Sequence, residues 1–233
     1  MKERPILFSG PMVRAILEGR KTQTRRVVKP VGNDDAFVLQ DYGNGFWPYR
    51  SDDGDTPFKG DMELPIDCPY GQPGDRLWVR ETFSIGEDLG ADWVRGYAQG
   101  DMFVILDGGS HEYIVPESYE IPRNAKETHN SEGTAEHWRE FGPIPSIFMP
   151  RWASRITLEI TGVRVERLQD ISEADARAEG VSEESMRSFA VHPDTTGKWA
   201  RFACRELWES INGPECWQAN PWVWAIEFKR VPA

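Results

Sequence analysis

The 233-residue sequence predicts an α+β fold, a small mixed β-barrel with a few flanking helices and long loop insertions. Two segments, 76–83 and 155–168, alternate apolar and polar residues with the period of half-buried strands, and residues 221–231 have the composition of a strongly β-prone final strand. Two other segments, 31–73 and 116–147, lack this periodicity and are predicted to be irregular. Strands in the middle and near the end of the chain, separated by long irregular segments, favour a sheet-based fold that carries insertions.

The N-terminal segment predicts a strand and then a short helix. Residues 4–9, RPILFS, have the composition of a short buried strand. Pro11 suits the first position of a helix, and apolar residues at i, i+3 and i+4 from Val13 form its buried stripe. Gly19 is a typical C-terminal stop, so the residues that follow it leave the end of a helix.

The central part of the chain predicts a series of strands. Gly74-Asp75 is a turn signal, after which the alternating residues separate into two faces. One face contains Leu77, Val79 and Glu81, and the other contains Arg76, Trp78 and Arg80. Gly-Asp and Gly-Gly turns then separate three short strands predicted at 93–98, 102–106 and 112–115.

The C-terminal third has the clearest pattern. Residues 155–168 predict a long strand, with Gly162 marking a bulge or a kink. Ser172, followed three residues later by an acid, resembles a capping box that begins a helix ending near Gly180. Residues 199–211 form an amphipathic helical pattern, and the chain closes with a strongly β-prone segment.

The amino-acid composition indicates the cellular compartment of the protein and which cofactors to expect. Three scattered cysteines without a CxxC spacing argue against a disulfide scaffold and a zinc site, and they fit a reducing cytosol. The sequence contains neither an apolar run long enough to span a membrane nor a signal-peptide core at its start. The four histidines, at 111, 129, 137 and 192, form no ligand set. We therefore expect a cytoplasmic protein with no membrane partner, no cofactor and no metal.

The charge is distributed unevenly. The formal net charge is −11, yet residues 1–30 contain eight Lys or Arg and two Glu, so the remaining residues have a net charge of −17. Residues 19–30, GRKTQTRRVVKP, contain five cations and no acid. Part of this clustering suits a helix C-terminus. The asymmetry also indicates an anionic ligand at one place, although a solvated basic face explains it equally.

Within this cationic segment, Lys21 and Thr24 are candidates for a base and a nucleophile. A lysine amine made neutral by burial or by neighbouring cations can take the proton of a threonine hydroxyl. Arginines nearby would bind a phosphate or stabilise an oxyanion. In an extended segment residues 21 and 24 face opposite sides, whereas in a turn they can meet. The alternative is that the threonines begin a strand and the cations stay solvated.

The run Gly19–Arg26 (Gly-Arg-Lys-Thr-x-Thr-x-Arg) after a short helix resembles the signature of ASCH domains, a branch of the PUA-like barrel superfamily. Gly74–Val79 resembles the GD strand of that family, Leu168–Glu179 its acidic-helix segment, and Val223–Phe228 its closing strand. Together these matches touch about half of the chain. The sequence as a whole resembles the long ASCH-type proteins of phages and prophages.

The resemblance implies a single PUA-like domain over residues 1–233. The segments without a counterpart in small ASCH proteins are then insertions, at 31–70 and 85–147. The sequence predicts neither the role of these insertions nor the oligomeric state.

The best-understood branch of the resemblance is a set of small bacterial amidohydrolases that deacetylate acetylated cytidine. By motif position its catalytic lysine, threonine and glutamate fall on Lys21, Thr24 and Glu179, with Glu173 a less favoured position for the glutamate. In the implied mechanism Lys21 takes the proton of Thr24, which attacks the amide. Arg26 or backbone N–H groups stabilise the oxyanion, and Glu179 orients Lys21 and the leaving amine.

Non-catalytic RNA binding and ribonuclease activity are the alternative functions. PUA-like barrels hold RNA in a cleft, and tryptophans beside arginines suit stacking and phosphate contacts. The net charge of −17 outside the first 30 residues would repel a long polyanion, so a modified nucleoside or a short RNA is the expected partner. The residues predicted to bind the ligand are Arg20, Arg25, Arg26, Trp78, Arg80, Glu81, Arg151, Trp152 and Arg155.

Overall fold

The structure, a computed structural model, describes ten segments of the chain, and every statement below refers to them. They are residues 1–29, 37–41, 46–50, 66–88, 102–106, 109–116, 118–123, 125–129, 138–190 and 199–231.

Twelve strands and four helices follow one another along the described residues. The strands are β1 (Glu3–Leu7), β2 (Gln23–Val27), β3 (Phe37–Asp41), β4 (Phe46–Arg50), β5 (Arg76–Arg80), β6 (Phe83–Asp88), β7 (Met102–Leu106), β8 (Gly109–Ile114), β9 (Glu127–His129), β10 (Trp138–Ile144), β11 (Thr157–Arg167) and β12 (Trp222–Val231). The helices are α1 (Gly10–Leu17), α2 (Glu173–Ala178), α3 (Glu183–Ala190) and α4 (Trp199–Asn212). The fold is α+β, as the sequence predicts.

The strands form two sheets and a hairpin. The first sheet has the strand order β1-β5-β11-β12-β2, the second has the order β8-β7-β6-β10-β9, and β3 pairs with β4. Within the described residues these strands do not close into a barrel, so the barrel stays a prediction. None of the described helices combines the length and the apolar character that crossing a bilayer requires.

The described residues divide into two compact units. The first unit comprises residues 1–4, 14–77 and 158–231, and the second comprises residues 5–13 and 78–157. The core of the first unit contains Leu168, Ile171, Ala176, Val181, Ala200, Ala203, Cys204, Trp217 and Val223. The core of the second contains Phe83, Ile85, Val104, Leu106, Val115, Ile144, Met149 and Ala153.

Most predicted elements are present. The segments predicted at 4–9, 102–106 and 112–115 overlap strands β1, β7 and β8, and the long strand is β11. The helix predicted to begin at Ser172 has the expected cap, because the Ser172 hydroxyl accepts a hydrogen bond of 3.0 Å from the backbone N–H of Asp175. The amphipathic pattern at 199–211 corresponds to α4, and the closing segment corresponds to β12.

Three predictions are corrected, and one helix was not predicted. The segment 76–83 is two strands in different sheets, β5 and β6, because the chain breaks its extended path at Glu81-Thr82. The segment 31–73 contains the hairpin β3-β4, and 116–147 contains β9 and β10. Helix α3 was not predicted. Strand β10 pairs with β9 and with β6, which lies about 50 residues earlier in the chain, so its conformation depends on pairing with other strands. The strand predicted at 93–98 lies outside the described residues.

Candidate functional site

The segment after α1 is attached to the end of α2 by backbone hydrogen bonds. Gly19 has a φ of +74°, which turns the chain out of the helix. The backbone N–H of Lys21 then donates to the Ala15 carbonyl at 3.0 Å. Lys21 forms an antiparallel bridge with Glu179, and the N–H of the next residue donates to the Ala178 carbonyl at 2.8 Å. Two residues 158 positions apart in sequence are thereby placed side by side.

Gly180 allows this close approach. Its φ is +88°, and a Cβ added there would lie 2.8 Å from the Cβ of Lys21 and 3.0 Å from that of Ala15. A side chain at this position would collide with the N-terminal segment and would also occupy a backbone conformation that favours glycine. The glycine that ends α2 is therefore a condition for the contact between Lys21 and Glu179.

The Lys21 amine is buried and bound to Glu179 twice. Its Nζ donates to the Glu179 carbonyl oxygen at 2.7 Å and to Oε2 of the same residue at 2.9 Å. The Lys21 side chain is 2% exposed. Burial lowers the pKa of Lys21 from its ordinary value of 10.5, since it penalises the charged form. Glu179 opposes this shift, and the positive charge of Arg26 contributes to it.

Arg25 lies on the same side of Glu179 and is also buried. Its Nη1 donates to Glu179 Oε1 at 2.9 Å, so each carboxylate oxygen of Glu179 accepts from a different cation. The Nε and Nη2 atoms of Arg25 both donate to Glu166 Oε1, at 2.8 and 2.6 Å. The Arg25 side chain is 1% exposed. Its guanidinium is therefore hydrogen-bonded to two carboxylates of the protein itself and lies 3.6 Å from a third, that of Asp175.

Four further residues extend these contacts. Arg164 of β11 donates to Glu166 Oε2 at 2.9 Å and pairs with Asp175 at 3.2 Å and with Glu227. Gln23 donates to Asp175 Oδ1 at 2.9 Å. We call the whole set the charge network. Its members are Lys21, Gln23, Arg25, Arg164, Glu166, Asp175, Glu179 and Glu227.

The charge network has a formal charge of −1 when Lys21 is protonated, because three cations contact four carboxylates. Burial raises the pKa of Asp175, but hydrogen bonds from Ser172 and Gln23 and the charges of Arg164 and Arg25 outweigh it, so that the pKa is lowered overall. A phosphate placed among these residues would be repelled, because the network is itself negatively charged. Two of the five cations in the basic segment, Lys21 and Arg25, are thus paired with carboxylates of the same unit.

Thr24 occupies the other face of β2. Successive side chains of a strand point to opposite faces of the sheet. The side chains of Gln23 and Arg25 both point toward the other members of the charge network. Thr24 stands between them, opposite the fully buried Ile226 of β12. Thr24 itself is 4% exposed. The strand conformation therefore brings Lys21 to Glu179 and directs Thr24 away from both.

The other two cations of the segment have different surroundings. Arg20 is partly exposed, and its Nε donates to Glu18 at 2.7 Å while its Nη1 donates to the Gly180 carbonyl at 3.1 Å. Arg26 pairs in register with Trp224, on the same face of β2 as Thr24. Glu173, the less favoured position for the glutamate, accepts hydrogen bonds from the N–H groups of Ala200 and Arg201 at the start of α4. Its carboxylate therefore caps a helix.

The remaining predicted ligand residues belong to the second unit. The guanidinium carbon of Arg80 lies 4.7 Å from the centre of the Trp78 ring, a cation–π geometry. Trp152 contacts Tyr119 edge-to-face, with ring centres 5.4 Å apart. Arg151 is exposed and donates to Thr157 Oγ1 at 3.2 Å. These residues lie on the strand β5 and on the 3₁₀ turn Arg151–Ala153.

Glu81 and Arg155 form a buried ion pair in the same unit. Arg155 Nε donates to Glu81 Oε1 at 3.0 Å, and Arg155 Nη2 donates to Glu81 Oε2 at 2.8 Å. Their side chains are 4% and 7% exposed. Both residues were predicted as separate ligand contacts, whereas here each is the partner of the other.

Sequence reasoning missed Gln23, Glu166, Arg164, Asp175 and Glu227 as members of the site. The signal available was the alternation itself, because Arg164 and Glu166 share a face of β11. Of the four histidines, His111 and His129 lie in β8 and β9, and the other two lie outside the described residues. In the described part of the chain, no group of three or more His, Cys, Asp or Glu is arranged to hold a metal ion.

No family model, no curated protein and no solved structure matches this chain. The assignment of a function therefore depends on the geometry described above and on the resemblance of the sequence motifs.

Proposed function

We propose that this protein is an amidohydrolase that removes an acyl group from the exocyclic amine of a modified cytidine. Lys21 is the proton acceptor, and Glu179 is the residue that positions it. The resemblance of Gly19–Arg26 to the ASCH signature, and with it a PUA-like barrel, supports the nature of the substrate. The observation that carries the proposal is the buried Lys21 amine, bound at 2.9 Å to Glu179 Oε2 with a lowered pKa.

A lowered pKa suits this chemistry. An amine with its ordinary pKa is almost entirely protonated at neutral pH and cannot accept a proton, whereas burial increases the neutral fraction. In the proposed reaction a water molecule attacks the amide carbon and Lys21 takes its proton. The tetrahedral intermediate then collapses, the C–N bond breaks, and Lys21 returns the proton to the leaving amine. The products are a carboxylic acid and cytidine.

In this proposal Thr24 is not the nucleophile. Because its side chain lies on the face of β2 opposite to Lys21, we assign the attack to water rather than to the threonine hydroxyl. A Thr24→Val variant tests this point, since it keeps the shape of the side chain and removes the hydroxyl. Activity within about threefold of the wild type supports attack by water, and complete loss in a folded variant returns the nucleophile to Thr24.

The pairing of the cations favours a neutral nucleoside over RNA. All three cations of the charge network, Lys21, Arg25 and Arg164, are bound to carboxylates, and the network as a whole is not positive. A nucleic acid gains affinity chiefly because unpaired Lys and Arg bind its phosphates and release the cations condensed on it. The affinity of an uncharged base does not depend on unpaired cations. We therefore favour hydrolysis of a small substrate over RNA binding and ribonuclease activity.

The test is mass spectrometry of the purified protein with cytidines acylated at N4 by groups of several sizes. We expect deacylation by the wild type and a loss of about 10²–10⁴-fold in Lys21→Met, the range for removing a general base. Lys229→Met is the matched control, because it makes the same change in a pair with Glu159 whose lysine side chain is 60% exposed. It should retain full activity.

Two results contradict the proposal. One is a wild type that leaves every acylated cytidine intact. The other is a Lys21→Met protein that is folded by circular dichroism and as active as the wild type. Since the Lys21 side chain is 2% exposed, productive substrate must also loosen the packing around it. We therefore expect faster amide hydrogen exchange at Thr22, whose N–H donates to Ala178, when a non-hydrolysable analogue is added.

A further inference from the structure

A cavity of about 410 Å³ lies where the chain leaves β5 and enters β6, in the second unit. Its lining contains Gly10, Glu81, Thr82, Phe83, Ser84, Ile105 and Leu106. The volume falls in the range of small-molecule sites, about 300–1,000 Å³. The lining combines an aliphatic and aromatic wall with one carboxylate residue and two hydroxyl residues, a composition typical of a site that orients a flat ligand through few polar contacts.

The carboxylate of the lining is the Glu81 side chain that Arg155 holds through two hydrogen bonds of 3.0 and 2.8 Å. This pairing uses one acceptor position on each oxygen and leaves the remaining lone pairs available. The Nε and Nη2 donors of Arg155 that face Glu81 are occupied. Glu81 therefore keeps hydrogen-bond acceptor capacity in a residue that lines the cavity, and the pair as a whole has no net charge.

The position of Ser84 depends on an adjacent glycine. A Cβ added to Gly142 of β10 would lie 2.2 Å from Ser84 Oγ, so any larger residue there would displace the serine. Ser84 pairs in register with Ile105 of the neighbouring strand, and both line the cavity. The hydroxyl and the aliphatic side chain are thus held side by side on two strands. Sites built on strands hold their geometry better than sites on loops.

We propose that this cavity binds a neutral heterocycle that carries an exocyclic amino group, with the amino N–H donated to Glu81. The neutral Glu81–Arg155 pair gives no reason to select a cation, and its remaining acceptors repel a carbonyl oxygen. Acidic side chains accept hydrogen bonds from the amino group of cytosine in the same way. Ile105, which shares a face of the sheet with Ser84, contacts the ring, and Ser84 binds a second polar edge.

This inference rests on contacts within the second unit and requires no hydrolysis at Lys21. It concerns recognition of an amino group, which is also the product of the proposed reaction. Binding that persists in Lys21→Met, together with absent deacylation, would separate the two proposals.

The experiment compares two pairs of nucleosides by isothermal titration with the full-length protein. Cytidine differs from uridine, and adenosine from inosine, by the exchange of an amino group for a carbonyl. We expect the amino member of at least one pair to bind at least tenfold more tightly, since a site built for a donor rejects an acceptor strongly. Glu81→Gln should abolish this preference, and Glu159→Gln, in the exposed pair with Lys229, should preserve it.

A second variant keeps the test decisive if Glu81→Gln does not fold, because that change leaves Arg155 without its carboxylate. Ile105→Trp fills the cavity while leaving the ion pair in place, and it should abolish nucleoside binding without lowering the melting temperature by more than a few degrees. Equal affinity for all four nucleosides overturns the proposal. So does the absence of binding at millimolar concentration, or unchanged binding by a folded Ile105→Trp protein.

Discussion

The replacement of Lys21 by methionine tests the electrostatics of the charge network through stability alone. Methionine has nearly the same length and removes the amine. The change deletes two hydrogen bonds, to the Glu179 carbonyl at 2.7 Å and to Glu179 Oε2 at 2.9 Å. Arg25 continues to satisfy Glu179 Oε1. The perturbation removes one buried amine and leaves these two acceptors without it.

The expected loss of stability follows from these contacts. Hydrogen bonds with charged partners contribute about 1.5–3 kcal/mol each, so that two of them give a gross loss of about 3–6 kcal/mol. Lys21→Met also avoids the desolvation penalty of a buried ammonium group, and this offsets part of the loss of stability. We expect a net loss of about 2–4 kcal/mol at pH 7 for Lys21→Met. The exposed control Lys229→Met should lose about 0–1 kcal/mol.

The pH dependence has a definite sign. The folded pKa of Lys21 is lowered from 10.5, so the unfolded chain binds more protons in the interval between the folded pKa and 10.5. The free energy of unfolding contributed by Lys21 therefore rises with pH through that interval. The wild type should gain stability relative to Lys21→Met by up to about 1.4 kcal/mol per pH unit. Cys204 titrates in both proteins, so its contribution largely cancels in the difference.

Urea denaturation of the wild type and both variants at several pH values between 7 and 10 measures these quantities. The reasoning is refuted if Lys21→Met and Lys229→Met lose the same stability. It is also refuted if the difference between wild type and Lys21→Met falls as the pH rises, because that result would mean a raised pKa for Lys21.

Two further predictions concern the surroundings of Lys21. Gly180→Ala should destabilise the protein by about 2–4 kcal/mol in urea denaturation, from a positive φ and a contact of 2.8 Å. Gly213→Ala, at a φ of +97° with nothing within 4 Å, should lose about 1 kcal/mol from the backbone term alone, and equal losses would contradict the steric argument. Burial raises the pKa of Cys204 to about 12, so the reagent DTNB at pH 8 should label the half-buried Cys216 much faster. Cysteine-to-serine variants assign the rate of each of the three free cysteines, and a Cys204 rate comparable with that of Cys216 would mean that Cys204 is accessible.

Local signals predicted the elements that form the candidate site. The alternation in residues 155–168 and the capping box at Ser172 are short-range features, and both appear in the structure as β11 and α2. The resemblance of the motifs also selected Lys21 and Glu179, and the structure places these two residues in contact. Segments without periodicity were predicted less well, because β9 and β10 gain their conformation from pairing with other strands.

The sequence by itself determined that cations are concentrated after α1 and that carboxylates lie on β11 and α2. Only the tertiary structure decided that these charges neutralise one another, since Arg25 is 141 residues from Glu166 and Lys21 is 158 residues from Glu179. It likewise placed Thr24 opposite Ile226 rather than beside Lys21. The physical reason is that a charge count is a property of the chain, whereas the pairing of buried charges depends on strand register and on the position at which a helix ends.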